Sequence, residues 1–288
     1  MKTNHLIYKF LFILGGAVYL TLTHPHSAVY TVNNSYIQNS AMKGAALFMS
    51  HIYAFISMQN NFVENKAHRG GAGISVVYFT RIYIAHCNFT HNKMGAIHID
   101  QGVSDVGELL DDKHLPYDKT DRAVFMNNQF ISNAGKSSGA VHISYCNLLL
   151  IQSCSAYNNY AAYHGGVVYG EDVHKVSIQR SIFMMNQAVS GGSVAIKMAI
   201  YVSISSCQFL HNIAFQQGGS LYLESVKSKA SKIKMFLNNF VTSDSKRNQM
   251  GQNGIIILVT NAEQFIIRYA SCHIIIKKST SAMTALEF

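Results

Sequence analysis

Two short motifs recur together along most of this chain at a spacing of about 26 residues. The first is an aromatic residue followed three positions later by Asn, and the second is a glycine that opens an apolar stretch. Because one such unit cannot bury its apolar face alone, a repeat of this length predicts units that stack on one another. The motif asparagines are Asn39, Asn65, Asn92, Asn133, Asn159, Asn186 and Asn212.

The segments between the motifs have the alternation of β-strands. Residues 175–181 and 201–207 place aliphatic side chains at every second position, and no segment has the period of a long amphipathic helix. About three strands of roughly four to six residues, with their turns, account for one repeat. The only prolines are Pro25 and Pro116, which suits strands that are hydrogen-bonded on both sides. We therefore expect an all-β fold, a right-handed single-stranded parallel β-helix of about eight to nine coils.

Stacked coils place equivalent residues in columns, and two polar columns are predicted. The motif asparagines form the first, and amide, hydroxyl and thiol side chains five positions earlier form the second. Amides in register bond to the coils above and below, which satisfies buried backbone groups. We interpret both columns as structural ladders. Five cysteines without a C-x-x-C pair do not favour a zinc or disulfide framework. The second column is Asn34, Asn60, Cys87, Asn128, Cys154, Ser181 and Cys207.

The paired motifs resemble a known kind of repeat. FVEN at residues 62–65 with GGAG at 70–73, and FLHN at 209–212 with GGSL at 218–221, are similar to repeats of the bacterial polymorphic outer-membrane proteins. They are also similar to repeats of related right-handed β-helix proteins in the pectin-lyase-like superfamily. The resemblance covers about residues 30–260. The resemblance implies the β-helix fold and, from the bacterial family, adhesion at a cell surface. It is a stronger guide to the fold of this chain than to the identity of its binding partner.

The N-terminal segment has two interpretations. Lys2 and Lys9 with the apolar residues 10–23 have the form of a secretory signal, too short for a comfortable membrane span. GGAVYL at residues 15–20 also copies the glycine motif, so residues 1–14 are either signal-like or a degenerate first coil.

Residues 15–288 are then a single β-helix domain. We expect a secreted or cell-surface location and no membrane span. If the first-coil interpretation is right, the chain is a fragment of a longer solenoid, and the new coil that begins at Phe265 supports that view.

The net charge of +9 favours acidic partners such as an acidic polysaccharide. The most concentrated basic segment is residues 226–234, which holds four lysines. No aromatic interleaving or nucleic-acid motif accompanies it, so we expect no nucleic-acid partner.

One repeat is longer than the rest, with 41 residues between Asn92 and Asn133. The extra residues lie in a loop insertion at 100–121, which contains seven of the fourteen acidic residues of the chain. We expect it to project from the solenoid, where loops commonly carry binding function. The acidic residues are Asp100, Asp105, Glu108, Asp111, Asp112, Asp118 and Asp121.

The strand before the insertion contains His98, and the equivalent positions of the next coils hold His142 and Tyr169. Two imidazoles beside carboxylates suit a divalent metal, but no third ligand is fixed by the spacing. We therefore prefer a column of stackable side chains, and we predict no metal and no cofactor. The binding candidates are His98, His142, Tyr169, Asp100, Asp105 and Asp118.

These features favour a non-catalytic extracellular protein, adhesin-like or a scaffold, that binds a carbohydrate or a cell-surface protein through exposed strands and loops. The alternative is a carbohydrate-active enzyme of the same fold, a polysaccharide lyase or glycoside hydrolase. Hydrolases of the superfamily are expected to carry paired aspartates on adjacent coils, whereas Asp111 and Asp112 lie in the insertion. Acid–base catalysis needs carboxylates at a controlled separation. If the chain is an enzyme, the catalytic candidates are Asp111, Asp112, His98 and His142.

Overall fold

The computed structural model describes residues 4–6, 11–12, 16–21, 28–102, 121–225, 232–241, 257–260, 264–268 and 286–287. These residues form a parallel β-solenoid of about seven turns, and none of them is in a helix. The predicted all-β, β-helix class is confirmed, while the handedness and the count of eight to nine coils stay predictions. Within the part of the chain described, no helix exists that is long and apolar enough to cross a membrane.

The described residues contain 31 strands. In chain order they are β1 (Asn4–Leu6), β2 (Leu11–Phe12), β3 (Val18–Thr21), β4 (Ala28–Val32), β5 (Asn34–Ile37), β6 (Ser40–Ala41), β7 (Leu47–Met58), β8 (Asn61–Val63), β9 (Lys66–Ala67), β10 (Ile74–Ala85), β11 (Asn88–Thr90), β12 (Ile97–Gly102), β13 (Arg122–Met126), β14 (Gln129–Ile131), β15 (Ala134–Gly135), β16 (Val141–Gln152), β17 (Ser155–Tyr157), β18 (Tyr160–Ala161), β19 (Val168–Gln179), β20 (Ile182–Met184), β21 (Gln187–Ser190), β22 (Val194–Ala199), β23 (Tyr201–Ser205), β24 (Gln208–Leu210), β25 (Ile213–Gln217), β26 (Leu221–Ser225), β27 (Lys232–Phe236), β28 (Asn239–Val241), β29 (Ile257–Thr260), β30 (Gln264–Arg268) and β31 (Leu286–Glu287).

Each complete turn consists of one long strand and two short ones. The turn that begins with β7 continues through β8 and β9 before β10 starts the next turn. The long strands and their half-strands form a 15-stranded sheet, strands of three or four residues form a nine-stranded sheet, and strands of two to five residues form sheets of four and three. This differs from the expected three strands of similar length, because the chain bends in the middle of each long strand.

The bend is made by a single residue in the left-handed conformation. In β7 that residue is His51, with φ of 56°, and in β10 it is Tyr78, with φ of 57°. One left-handed residue redirects a strand while its neighbours keep their hydrogen bonds to the adjacent coils. We call this line of residues the bend edge. Its members are His51, Tyr78, Gln101, Tyr145, Asp172 and Met198.

The long strands are interrupted at the bend edge in two places, at the acidic insertion and at the basic segment. The strands β12 and β13 are the two halves of one long strand, and both pair with β10 and β16. The chain therefore leaves the solenoid after Gly102 and returns at Asp121. Likewise, β26 and β27 are separated by residues 226–231 and pair with β22 and β23. Residues 103–120 and 226–231 themselves lie outside the described residues.

The interior contains a stack of aromatic rings, one per coil. The rings of Phe62 and Phe89 are 4.7 Å apart and within 2° of parallel. Buried Ala156 takes the place of a ring between Phe130 and Phe183. Phe240 extends the stack one coil beyond the last motif found in the sequence. The ring residues are Tyr36, Phe62, Phe89 and Phe130 on one side of Ala156, and Phe183, Phe209 and Phe240 on the other.

The motif asparagines form a continuous buried ladder. The Nδ2 atom of Asn65 donates to Oδ1 of Asn92 at 3.0 Å and to the carbonyl of Tyr36 at 2.9 Å. Its Oδ1 accepts from the backbone nitrogen and Nδ2 of Asn39, at 3.0 and 2.9 Å. Both donors and both lone pairs of the amide are thus used, which offsets the cost of burying it. The amide-to-amide contact recurs along Asn39, Asn65, Asn92, Asn133, Asn159, Asn186 and Asn212.

The second polar column also supports backbone groups. The backbone nitrogen of Cys87 donates to Oδ1 of Asn128, and that of Cys154 donates to Oγ of Ser181. Asn238 adds a member that the sequence reasoning missed. Of the cysteines described, all are buried free thiols, and burial raises the pKa of Cys154 to about 11. A thiol in such a place stays protonated and packs as a small apolar group.

Candidate functional site

Three of the predicted binding residues lie next to one another on the outer face of the solenoid. The register pairs His98 with His142 and His142 with Tyr169 across β12, β16 and β19. The two imidazole rings meet edge to face with centroids 4.7 Å apart, and the centroids of His142 and Tyr169 are 5.1 Å apart. The sequence register alone was sufficient to predict this column.

The two histidines line a groove of about 430 Å³. We call it the basic groove, because Lys43, Arg69 and Lys136 lie along it. Ser137 and Ser138 add hydroxyl groups to the same surface. None of the described residues that line it is Asp or Glu. Such a lining presents donors and positive charge and is suited to a carboxylate, sulfate or phosphate group.

The cations come from turns in three different coils. Lys43 and Arg69 each directly precede a glycine in the left-handed conformation, Gly44 and Gly70. Lys136 lies in the corresponding turn farther along the solenoid, and its Nζ is 5.9 Å from the ring centroid of Tyr163. Within the described residues, none of the three cations forms an ion pair with a carboxylate. Their charge is therefore available to a ligand.

Glycine is required where the turn passes over His98. Gly71 has φ of +63°, and a Cβ there would lie 2.9 Å from Cβ of His98. A Cβ on Gly70 would lie 3.1 Å from Cγ of the same imidazole. Larger residues would push the turn off the histidine, so the glycine motif shapes the wall of the groove as well as the fold.

His98 and His142 are held in the uncharged form. Burial lowers the pKa of His142 to about 3, with the neighbouring His98 and His164 acting in the same direction. Burial also lowers the pKa of His98, with Lys43 acting in the same direction and Asp100 against it. Nε2 of His142 is buried without a hydrogen-bond partner among the described residues. A buried polar atom without a partner costs free energy, which a ligand that reaches it would recover.

Farther along the same face, the charged groups satisfy one another. Nζ of Lys197 is 3.2 Å from Nε2 of His164 and 5.8 Å from the ring centroid of Tyr169. The hydroxyl of Tyr222 donates to Glu224 at 2.9 Å, and burial together with this bond raises the pKa of Tyr222 to about 12. These contacts give Lys197 and Glu224 partners within the face.

Asp100, the acidic candidate that the structure describes, does not line the groove. Oδ1 of Asp100 accepts a hydrogen bond from Oγ of Ser144 at 2.8 Å, in the strand beside His98. Four other candidates lie outside the described residues, so their predicted roles in binding or catalysis stay predictions. They are Asp105, Asp111, Asp112 and Asp118. In the part of the chain that the structure describes, no three His, Cys, Asp or Glu residues are placed to hold a metal ion.

Sequence reasoning missed the three cations of the groove. Their position in the sequence could have identified them, because each lies in the turn that leads to a glycine motif. That turn folds over the outer face and carries its basic side chain to the histidine column.

Comparison of the chain with protein-family models, curated proteins and solved structures finds no match.

Proposed function

We propose that this protein is a non-catalytic extracellular β-helix protein of the pectin-lyase-like type, adhesin-like in role, that binds an acidic carbohydrate in the basic groove. The observation that carries the proposal is the unpaired charge of Lys43, Arg69 and Lys136 around one groove lined by no described carboxylate. The net charge of +9 adds long-range attraction for a polyanion.

The arrangement of the cations favours a linear polymer over a single small anion. Adjacent coils lie ~4.8 Å apart, so side chains from different coils form a row along the solenoid axis. Lys43 and Arg69 belong to neighbouring coils, and Lys136 lies two coils beyond Arg69. A chain of sugars with repeated carboxylates or sulfates meets several of these charges at once. Each charge-assisted hydrogen bond adds roughly 1.5–3 kcal/mol when desolvated.

The proposal is tested by titrating the protein with an oligogalacturonate and, separately, a sulfated oligosaccharide. The test variant combines Lys43→Gln, Arg69→Gln and Lys136→Gln. We expect it to weaken binding by about 10- to 1,000-fold, since three charged contacts are lost.

A matched control combines Lys175→Gln, Lys232→Gln and Lys234→Gln, which removes the same charge from another face. Lys175 on β19 and Lys232 on β27 both pair in register with Tyr201, and Lys234 lies two residues beyond Lys232. None of the three lines the groove. Equal losses in the two variants would show that only net charge matters and would refute the groove as the site. Binding of neither oligosaccharide by the unmodified protein would do the same.

A carbohydrate-active enzyme of the same fold is the second candidate. It is favoured by one observation, the uncharged His142 with an unpartnered Nε2 in a cationic groove. A lyase needs a base beside a sugar carboxylate that is neutralised by Lys or Arg, and His142 lies beside such cations. With a pKa of about 3 and a buried Nε2, His142 is a weak base in this conformation. Incubation with polygalacturonate and measurement of chain length distinguishes the two candidates. Shortened chains that disappear in His142→Gln would replace the binding proposal with the catalytic one.

A further inference from the structure

A second pocket lies at the bend edge, where the chain leaves the solenoid after Gly102 and returns at Asp121. Its volume is about 280 Å³, and it shares none of its lining residues with the basic groove. No Lys or Arg is among the described residues that line it. We call it the bend pocket. Its chemistry is therefore opposite to that of the groove.

The floor of the bend pocket is a row of three polar side chains on three successive coils. Asp121, Asn147 and His174 occupy equivalent positions, next to the register pairs of β13, β16 and β19. Both carboxylate oxygens of Asp121 accept from Asn147, one from its backbone nitrogen at 3.0 Å and the other from Nδ2. Because Nδ2 is the donor to Asp121, Oδ1 of Asn147 faces the next coil as an acceptor.

This orientation fixes the tautomer of His174. Nδ1 of His174 lies 2.6 Å from Oδ1 of Asn147. Since an amide oxygen only accepts, Nδ1 carries the proton in this contact, and Nε2 of the neutral ring is left as an acceptor. The imidazole is exposed, so that acceptor is open to a ligand.

The close approach of two strands makes the floor compact. A Cβ on Gly102 would lie 1.8 Å from Oδ2 of Asp121, which is too close for any side chain at position 102. Only glycine therefore allows the carboxylate to sit beneath the end of β12. Buried Asp121, with 2% exposure, is fully used in holding Asn147 and is not itself available to a ligand.

Two further side chains complete the pocket. Asp172 and Tyr145 are paired in register at the bend edge, on β19 and β16. Tyr145 is 56% exposed, and neither side chain has a hydrogen-bond partner among the described residues. The pocket thus offers a carboxylate, an imidazole acceptor and an aromatic ring on a rigid floor.

We propose that the bend pocket is a second ligand site, which takes a neutral hydroxyl-bearing sugar unit. Sugar hydroxyls donate to the carboxylate of Asp172 and to Nε2 of His174, and the ring of Tyr145 packs on the apolar face of the sugar. Anionic sugars are excluded by Asp172 and Asp121, which have no cation beside them in the lining. The site is independent of the basic groove, so either proposal can fail without the other.

The test uses the full chain and the methyl glycosides of glucose, galactose and mannose, with binding followed by saturation-transfer NMR and titration. We expect at least one glycoside to bind, and Asp172→Asn and His174→Ala each to weaken it by about tenfold, since each removes a charged or strong hydrogen-bond acceptor. Asn is well tolerated at Asp172, where φ is 51°.

The matched control is Tyr78→Ala, which removes an exposed ring from the same edge two coils away. It should leave binding unchanged. Binding that survives both pocket variants, or no binding of any of the three glycosides, would overturn the proposal. The tautomer gives a second readout in the unliganded protein: long-range nitrogen–proton NMR should show His174 protonated at Nδ1, and protonation at Nε2 would remove the proposed acceptor.

Discussion

Asn92 and Asn133 are 41 residues apart in the chain, yet Nδ2 of Asn92 donates to Oδ1 of Asn133 at 2.9 Å. The contact between Asn39 and Asn65, only 26 residues apart, has the same length. The longer repeat therefore leaves the stacking of the coils undisturbed. The contact joins described residues on either side of the insertion, so the ladder is continuous there without it.

The first prediction concerns the insertion. Gln101 already makes the bend in this coil, and in the register of β10 and β16 Gly102 and Asp121 occupy consecutive positions. Residues 103–120 can therefore be deleted, with Gly102 joined directly to Asp121. We expect the shortened protein to keep its β-sheet circular dichroism and its urea midpoint. A loss of cooperative unfolding would show that the insertion helps to hold the coils together.

The second prediction concerns the ladder. Asn133→Ala removes the acceptor of Asn92 and the donors to the carbonyl of Phe89 and to Asn159. Because these buried groups are left unpaired, we expect a loss of about 3 kcal/mol or more in the free energy of unfolding. Asn127→Gly is the control, since Asn127 is exposed and has φ of 52°, which glycine adopts freely. Similar urea midpoints for the two variants would contradict the assigned role of the ladder.

The third prediction concerns the aromatic stack. Phe89 is fully buried between the rings of Phe62 and Phe130. Phe89→Ala should lower the free energy of unfolding by about 3–5 kcal/mol, through lost burial and the cavity that remains. Phe215→Ala, at a side chain 39% exposed, should change it by about 0.5 kcal/mol or less. Denaturant unfolding of both variants measures the difference.

The fourth prediction concerns pH. The pKa of His142 falls from 6.5 to about 3 on folding, so between these values the unfolded chain binds a proton that the folded protein does not. The contribution of His142 to the free energy of unfolding should therefore be complete above pH 6.5. It should decrease as the pH falls toward 3, by at most about 1.4 kcal/mol per pH unit. His98 shifts in the same direction.

Thermal melts of the unmodified protein and His142→Gln from pH 7 to pH 4 test this. The variant should lose less stability across the range than the unmodified protein. An equally steep loss would assign the acid sensitivity to other groups.

The columns of the fold could be predicted from the sequence because, in stacked coils, residues that are one repeat apart in the chain lie in contact. The repeat spacing by itself aligns Asn65 with Asn92 and His98 with His142. It also locates the insertion at the strand that contains His98. Phe240 was missed because the basic segment lengthens its repeat, which moves it 31 residues from Phe209.

Other features depend on how chain segments approach in space. The residues that make the bend share no side-chain type, as His51, Tyr78 and Met198 show, so no glycine or proline marks it. Lys136 joins Lys43 and Arg69 only because their turns fold over the same face. The row from Asp121 to His174 requires both the bend and the return of the chain after the insertion.

Ala156 interrupts the aromatic stack and leaves the Asn ladder intact. Contacts in a solenoid run only between neighbouring turns, so its resistance to axial force is set by its weakest joint. At Ala156 that joint is held by amide and backbone hydrogen bonds, without ring-on-ring packing. If the protein is anchored at one end and pulled at the other, we expect the coils to separate first at Ala156. The two parts that separate contain stacks of four and three rings.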